Sequence, residues 1–295
     1  MATETHWKSL WVELSGSQTR FIKGKKYTHR VIEAGAGEPL ILIHGIGGHA
    51  EGYARNVMNL AKNFHVYSID ALYHGYTLSD NFDHEQTTYR QAEAIVDLLD
   101  AEGHKWAHIK GESMGSHIAF EYGMYFPERA GKLILDTGAF FIDFKRTFKV
   151  QAGGGPLLFD LSREAVTNPN PITLRKRLEW LVTSPDRITD EIVDLRLKMY
   201  SDSAINASMR KVFGIDVPQE PRLRYTEEDC ANLKPPTMVF WTENNPGAGP
   251  DVGEHFASLI PGSKYYCMAD AAHWPMWEHP GEHDRVTTQF LQGKM

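Results

Sequence analysis

The sequence predicts an α/β fold: a mostly parallel sheet with helices on both faces and a helical insertion. Two observations carry this. Short apolar runs such as Leu40-Ile41-Leu42-Ile43 are what a strand covered on both faces requires. These runs alternate with segments of helical periodicity, the rhythm of βαβ units. The alternation stops for about 85 residues and then resumes, and a stretch of that length is too long for an ordinary loop.

Taken in order, 27–34 reads as a strand closed by the turn Gly35-Ala36-Gly37, and 40–43 as a buried strand. A third strand spans 64–69. Residues 86–102 form a helix, with Ala92, Ile95, Val96, Leu98 and Leu99 on one face and Gly103 as the stop. A strand at 106–110, a helix at 116–126 ended by Pro127, and a strand at 132–135 follow. Residues 140–226 carry no buried-strand run. They hold Gly153-Gly154-Gly155-Pro156, Asn168-Pro169-Asn170-Pro171 and amphipathic stretches at 174–181 and 189–200. Strands at 237–241 and 264–268 and helices at 252–259 and 282–291 complete the chain. The expected organisation is a core of 1–139 and 227–295 with a helical lid of 140–226, placed over a site at the carboxyl ends of the strands. The lid aromatics and methionines (Phe140, Phe141, Phe144, Phe148, Phe159, Trp180, Met199 and Met209) fit an apolar pocket or plain core packing.

Composition narrows the function. Lys and Arg number 31 against 38 Asp and Glu, a net charge of −7, so no basic stripe for nucleic acid is expected. No run reaches the roughly 18 to 20 apolar residues of a membrane helix, and the first residues lack a signal-peptide pattern, so a cytoplasmic protein is expected. The cysteines, Cys230 and Cys267, are far apart and read as structural thiols; no ligand cluster for a metal is apparent.

The most informative segment is Gly111-Glu112-Ser113-Met114-Gly115, a G-x-S-x-G between a strand and a helix. The chain must turn sharply there, so small residues flank the serine. Its hydroxyl then stands at a helix N-terminus, where free N–H groups favour developing negative charge.

With these residues the sequence resembles the α/β-hydrolase family over nearly its whole length. The resemblance implies a twisted, mostly parallel eight-stranded sheet. His44-Gly45-Ile46-Gly47-Gly48 resembles the family's oxyanion loop, and Asp70-Ala71-Leu72-Tyr73-His74-Gly75 its D-x-x-G-x-G segment, with His74 in place of the first Gly. The resemblance assigns the oxyanion amides to Ile46 and Met114, the nucleophile to Ser113 and the base to His273, which follows the last strand. The acid is open. The family usually places Asp after the strand ending Phe240-Trp241, but Asn245 stands there, 28 positions before His273. An Asn orients an imidazole without stabilising its cation as a carboxylate does. Asp136, on the tip of the preceding strand, is the favoured acid, because neighbouring strands lie only about 5 Å apart. Glu243 comes next and Asn245 third; Asp251 is a further candidate.

Within the family, His273-Trp274 followed by Trp277-Glu278-His279 resembles the H-W-x-x-W-E-H run of hydrolases that cleave carbon–carbon bonds in meta-ring-fission products of aromatic catabolism. The stretch Ile188-Thr189-Asp190-Glu191-Ile192-Val193-Asp194-Leu195-Arg196 resembles their lid helix, whose Arg holds the substrate carboxylate. The resemblance implies a serine-dependent hydrolase of vinylogous diketo acids, with Arg196, Trp274 and Glu112 placed to meet the substrate. It implies no metal or other cofactor, a small aromatic-derived substrate, no nucleic-acid or membrane partner, and a homodimer as the assembly to test. Glu112 departs from the Asn usual before the nucleophile. A carboxylate beside an anionic substrate costs Coulombic energy unless it is turned away or protonated. The competing readings are a carboxylesterase or lactonase for a bulky apolar ester, a binding protein whose triad has lapsed, and a cofactorless dioxygenase. A dehalogenase would need Asp at position 113.

Overall fold

The computed structural model describes residues 8–149, 154–217 and 225–295. Eight strands form one sheet: β1 (Gln18–Lys23), β2 (Thr28–Ala34), β3 (Pro39–Ile43), β4 (His65–Ile69), β5 (Ala107–Glu112), β6 (Ala130–Asp136), β7 (Thr237–Thr242) and β8 (Lys264–Met268). Their order is β1-β2-β4-β3-β5-β6-β7-β8. The pairs β1/β2 and β2/β4 are antiparallel; all others are parallel. Every residue of β3, β5 and β7 is buried, as strands with helices on both faces must be. The core strands thus lie where the sequence places them, β3 and β7 on their apolar runs. β1 was not expected. It is an edge strand with a mostly exposed pattern, Phe21 included, and shows no clean alternation.

The order matters for function. β3 pairs with β4 on one side and with β5 on the other. The chain therefore leaves β3 in one direction and crosses back to form β5, and such a switch point opens a crevice at the carboxyl ends of the two strands. The loop His44–Gly48 and Ser113 both emerge there.

Between β6 and β7 the chain forms helices Gly155–Thr167, Pro171–Glu179, Asp190–Tyr200 and Ser203–Val212. A short parallel pairing of Ile142–Asp143 with Tyr225–Thr226 draws the two ends of this stretch together. The Asn170-Pro171 step acts as a helix start: Asn170 accepts from the amides of Ile172 and Thr173 in a capping box, and Pro171 occupies the first turn. Met199 and Met209 are core residues, Trp180 is half-buried, and Phe140 and Phe159 are exposed. Cys230 and Cys267 are free thiols. Among the described residues no helix is long and apolar enough to cross a membrane, and no group of His, Cys, Asp or Glu could hold a metal ion.

Candidate active site

Ser113 sits between β5 and the helix Met114–Tyr125 with φ 56° and ψ −113°, a left-handed conformation rare for a residue with a side chain. The turn needs its glycines. A Cβ on Gly115 would stand 2.3 Å from the Ile43 carbonyl oxygen, and one on Gly111 would stand 1.9 Å from the Gly115 carbonyl oxygen. The Ser113 amide donates to the Asp136 carbonyl at 2.9 Å, which ties the bend to the tip of β6. Ser113 is 6% exposed and lines a narrow cleft, together with Gly45, Ile46, Glu112, Arg177, Arg196, His273 and Trp274.

His273 reaches this cavity from the loop after β8. The Thr242 hydroxyl donates to the Ala272 carbonyl at 2.6 Å, and the Asn244 amide to the Ala271 carbonyl at 3.0 Å. These bonds fasten that loop to the tip of β7 and bring Asn245 against the imidazole, with Asn245 Oδ1 2.6 Å from His273 Nδ1. The amide is oriented by its other end, since Asn245 Nδ2 donates to the Ala248 carbonyl at 3.1 Å. Oδ1 therefore accepts from Nδ1–H, and Nε2 is left as the basic nitrogen. Burial, with the Arg177 charge adding to it, pushes His273 down to about 3, so the ring is neutral at ordinary pH. Trp180 packs edge-on against it at 5.0 Å.

The sequence expectation for the acid is corrected here. Asp136 is buried beneath the bend, but its carboxylate faces Lys110 Nζ at 2.8 Å and His283 Nε2 at 3.3 Å, not His273. Burial alone would raise this carboxyl; the Lys110 ammonium and the His283 ring overcome it and hold it below the usual aspartate range. A carboxylate neutralising a fully buried lysine has an electrostatic duty of its own. Glu243 is exposed, with its carboxylate accepting from the Asp270 amide at 3.4 Å, and Asp251 is exposed in the first turn of the helix Pro250–Leu259. Of the four candidates, Asn245 is the residue on His273.

Glu112 is 1% exposed, and its Oε1 lies 3.2 Å from His273 Nε2. A Cβ on Gly45 would come within 2.5 Å of Glu112 Oε2, so the glycine makes room for the carboxyl. Burial pushes Glu112 up to about 8, against the pull of the Gly45 amide and the Arg177 charge. At neutral pH the carboxyl is therefore mostly protonated. One of the two ways for Glu112 to coexist with an anionic ligand is met.

Arg196 is 3% exposed, and its Nε has no hydrogen-bond partner among the described residues; its guanidinium lies 5.7 Å from the Tyr200 ring. Tyr200, one turn along the same helix, donates to the Gly47 carbonyl at 3.0 Å and so ties that helix to the loop after β3. Sequence reasoning missed Arg177. It is 5% exposed; Nε donates to the Ser162 hydroxyl at 2.8 Å, and Nη1 has no partner among the described residues. Burial, with the nearby Arg196 charge, lowers it to about 10. Among the described residues neither guanidinium pairs with a carboxylate. Trp274 is buried, and its amide donates to the Leu181 carbonyl at 2.9 Å. Glu278, at the end of the short helix Pro275–Glu278, accepts from Thr183, Arg187 and the Ala272 amide, bracing the His273 loop against the inserted helices. His44 is structural: Nε2 accepts from the Ala71 amide at 3.0 Å, and burial and His74 push it well down. Ile46 lines the cavity, and Met114 begins the helix after Ser113.

The chain is similar to known proteins over most of its length. The chain is 28% identical over 265 residues to a 2-hydroxy-6-oxo-6-phenylhexa-2,4-dienoate hydrolase of Burkholderia cepacia, covering 88% of this chain and 89% of that one. It is 29% identical to a 2-hydroxy-6-oxononadienedioate/2-hydroxy-6-oxononatrienedioate hydrolase of Comamonas testosteroni, with the same coverage. Among solved structures, the 2-hydroxy-6-oxo-6-phenylhexa-2,4-dienoate hydrolase of a Rhodococcus species superposes with a TM-score of 0.80 at 19% identity, covering 94% of this chain and 99% of that one. A carboxylesterase of Bacillus subtilis gives 0.78 at 16%, covering 97% and 96%, so at this distance the likeness is one of fold. The family described as alpha/beta hydrolase fold matches residues 38–280, and the chain belongs to that family.

Proposed function

We propose that this protein is a serine-dependent hydrolase that cleaves a carbon–carbon bond in a 2-hydroxy-6-oxo-2,4-dienoate, a vinylogous diketo acid of the meta-ring-fission type. The observation that carries the reading is the pair of buried guanidiniums, Arg177 and Arg196, opening on the cavity that holds Ser113 and His273 without carboxylate partners among the described residues. A buried cation is costly unless an anion meets it, so an anionic substrate group suits this cavity better than a neutral ester does. The two sequence relatives named above are hydrolases of such dienoates, which supports the same substrate class.

In the proposed reaction Arg196 holds the substrate carboxylate, aided by Arg177, and Trp274 bounds the planar dienol. The dienol is first ketonised by protonation at C5, which makes C5 a competent leaving group. Neutral His273, oriented by Asn245, takes the Ser113 proton through Nε2, and Oγ attacks the C6 carbonyl. The amides of Ile46 and Met114 receive the oxyanion; such a donor is worth about 3 to 4 kcal/mol. The C5–C6 bond then breaks, and water hydrolyses the acyl-serine. The inserted helices act as a lid that excludes bulk water.

The test compares 6-aryl and 6-carboxyalkyl 2-hydroxy-6-oxohexa-2,4-dienoates with p-nitrophenyl esters of matched size. The expected result is a kcat/KM at least a hundredfold higher on a dienoate. Equal or better turnover of neutral esters would overturn the reading in favour of an esterase.

A further inference from the structure

The site has lost the family's usual carboxylate on one side of its imidazole and carries a carboxyl on the other. Asn245 occupies Nδ1 at 2.6 Å, and Glu112 Oε1 stands 3.2 Å from Nε2. Glu112 directly precedes Ser113, lines the same cavity and is 1% exposed. From this arrangement we infer that Glu112 is the catalytic acid of the ketonisation step, giving its proton to C5 of the bound dienol while His273 receives the proton of the 2-hydroxyl. The inference rests on the proposed carbon–carbon hydrolase reaction.

The step balances. The Glu112 O–H bond breaks and a C5–H bond forms. The dienol electron pairs shift toward C5, and C2–OH becomes C2=O as its proton passes to Nε2. The result is a carboxylate facing an imidazolium across the 3.2 Å contact, and return of the proton restores neutral His273 and protonated Glu112. His273 is then free to accept the Ser113 proton. One imidazole thus serves two consecutive steps because a neighbour takes its proton away between them. Two groups whose surroundings drive their proton affinities apart are what an acid–base division of labour needs, and the shifts of Glu112 and His273 run in the required directions.

The groups facing Glu112 set its pH response. His273 lies at Nε2 distance; Arg177 favours the ionised form; Asp136 disfavours it, as burial does; the Gly45 amide and the Trp274 indole favour it. Tyr53 is buried within its field, and Arg196 lines the same cavity. Burial wins, so the acid form persists to about pH 8 and is lost above it.

The experiment is rapid-mixing single turnover of a 2-hydroxy-6-oxo-6-phenylhexa-2,4-dienoate, following decay of the dienol absorbance across pH 6 to 9.5, in the native protein, Glu112→Gln and Glu112→Asp. The expected result is dienol decay roughly a hundred- to ten-thousandfold slower in Glu112→Gln, the range ascribed to a positioned acid. The native protein should lose rate above about pH 8 and the variant should not. Circular dichroism checks that the variants fold. Glu112→Gln decaying at the native rate, or keeping the native alkaline limb, would overturn the assignment while leaving the hydrolase reading intact. Should Glu112→Gln misfold, Glu112→Asp decides: an alkaline limb displaced in pH supports the role, and an unmoved limb overturns it. A native protein that consumes no dienoate overturns the hydrolase reading and this inference with it.

Discussion

Asn245→Asp probes the division of labour around His273. Asn245 is 2% exposed, with Oδ1 2.6 Å from Nδ1. A carboxylate there, its charge about 4 Å from that of an imidazolium, attracts it by about 4 kcal/mol at an effective dielectric of about 20. Against this stands the bond from Asn245 Nδ2 to the Ala248 carbonyl. A carboxylate cannot donate, and its second oxygen would confront that carbonyl, a cost of about 1 to 3 kcal/mol. The balance of about 1 to 3 kcal/mol strengthens proton binding at His273 roughly 5- to 150-fold. The sign is fixed by the starting point. In the native protein burial and Arg177 push His273 down to about 3, so its basic form is present at all ordinary pH but is weakly basic. In Asn245→Asp the imidazole titrates at higher pH, and its basic form is lost as pH falls through that higher value. The assay is the rate of Ser113 labelling by a fluorophosphonate from pH 4 to 9. The variant should label up to roughly 150-fold faster near pH 8 and show an acid limb displaced upward. Slower labelling at every pH, with an unmoved acid limb, would refute the claim that residue 245 sets the basicity of His273.

Four further outcomes are expected. Ser113→Ala should abolish fluorophosphonate labelling and bond cleavage with an unchanged circular dichroism spectrum; residual labelling at native rate would remove Ser113 as nucleophile. Arg196→Ala should raise KM for a dienoate about 10- to 150-fold, the worth of about 1.5 to 3 kcal/mol in charged hydrogen bonds; an equal rise for neutral esters would speak against carboxylate binding. Asp136→Asn should lower stability in urea by about 3 to 5 kcal/mol by leaving Lys110 buried and unpaired, with a turnover loss far smaller than that of Ser113→Ala; a stable but inactive variant would restore Asp136 as the triad acid. Glu112→Gln should change stability with pH. The folded-state value of about 8 against 4.5 in the unfolded chain means that a contribution of up to about 5 kcal/mol is lost as pH rises through that interval. The variant should therefore gain on the native protein between pH 5 and pH 8.5 in urea denaturation, and a constant difference would contradict the raised proton affinity.

The sheet interior was legible in β3 and β7, which are buried on both faces and carry the apolar runs Leu40–Ile43 and Met238–Trp241; β5, Ala-His-Ile-Lys-Gly-Glu, is as deeply buried but was legible through the turn that follows it. β1 was not, because an edge strand in contact with solvent keeps few apolar positions. Ser113 was readable because its local chain must satisfy steric demands that only small neighbours meet. The acid was not, because Asp136, Glu243 and Asn245 all stand near the tips of adjacent strands, and only the loop bonds from Thr242 and Asn244 decide which side chain meets His273. Arg177 gave no signal at all. On the helix Pro171–Glu179, with Arg175 and Lys176 beside it, it reads as one more solvated cation, and its burial depends on the packing of that helix against Gly155–Thr167, where the Ser162 hydroxyl meets it.

Asn245, Glu112 and Arg177 become one arrangement when their charges are considered together under the proposed reaction. An aspartate at 245 would place an anionic group behind His273, opposing a carboxylated substrate in a buried region where screening by water is weak. Asparagine keeps the geometry of the imidazole and removes that opposition. In the proposed reaction Glu112 in its protonated form would bring a proton donor without a charge, and Arg177, a liability in an uncharged pocket, would supply a second cation to meet the substrate. The cost is a weakly basic His273, which a neutral ester with a poor leaving group would expose at once. A ketonised vinylogous diketone tolerates it, because cleavage of the C5–C6 bond delivers electrons into a conjugated carbonyl and the attack on C6 needs less assistance. On the proposed reading, the same residues that weaken the base thus favour an anionic substrate with its own electron sink.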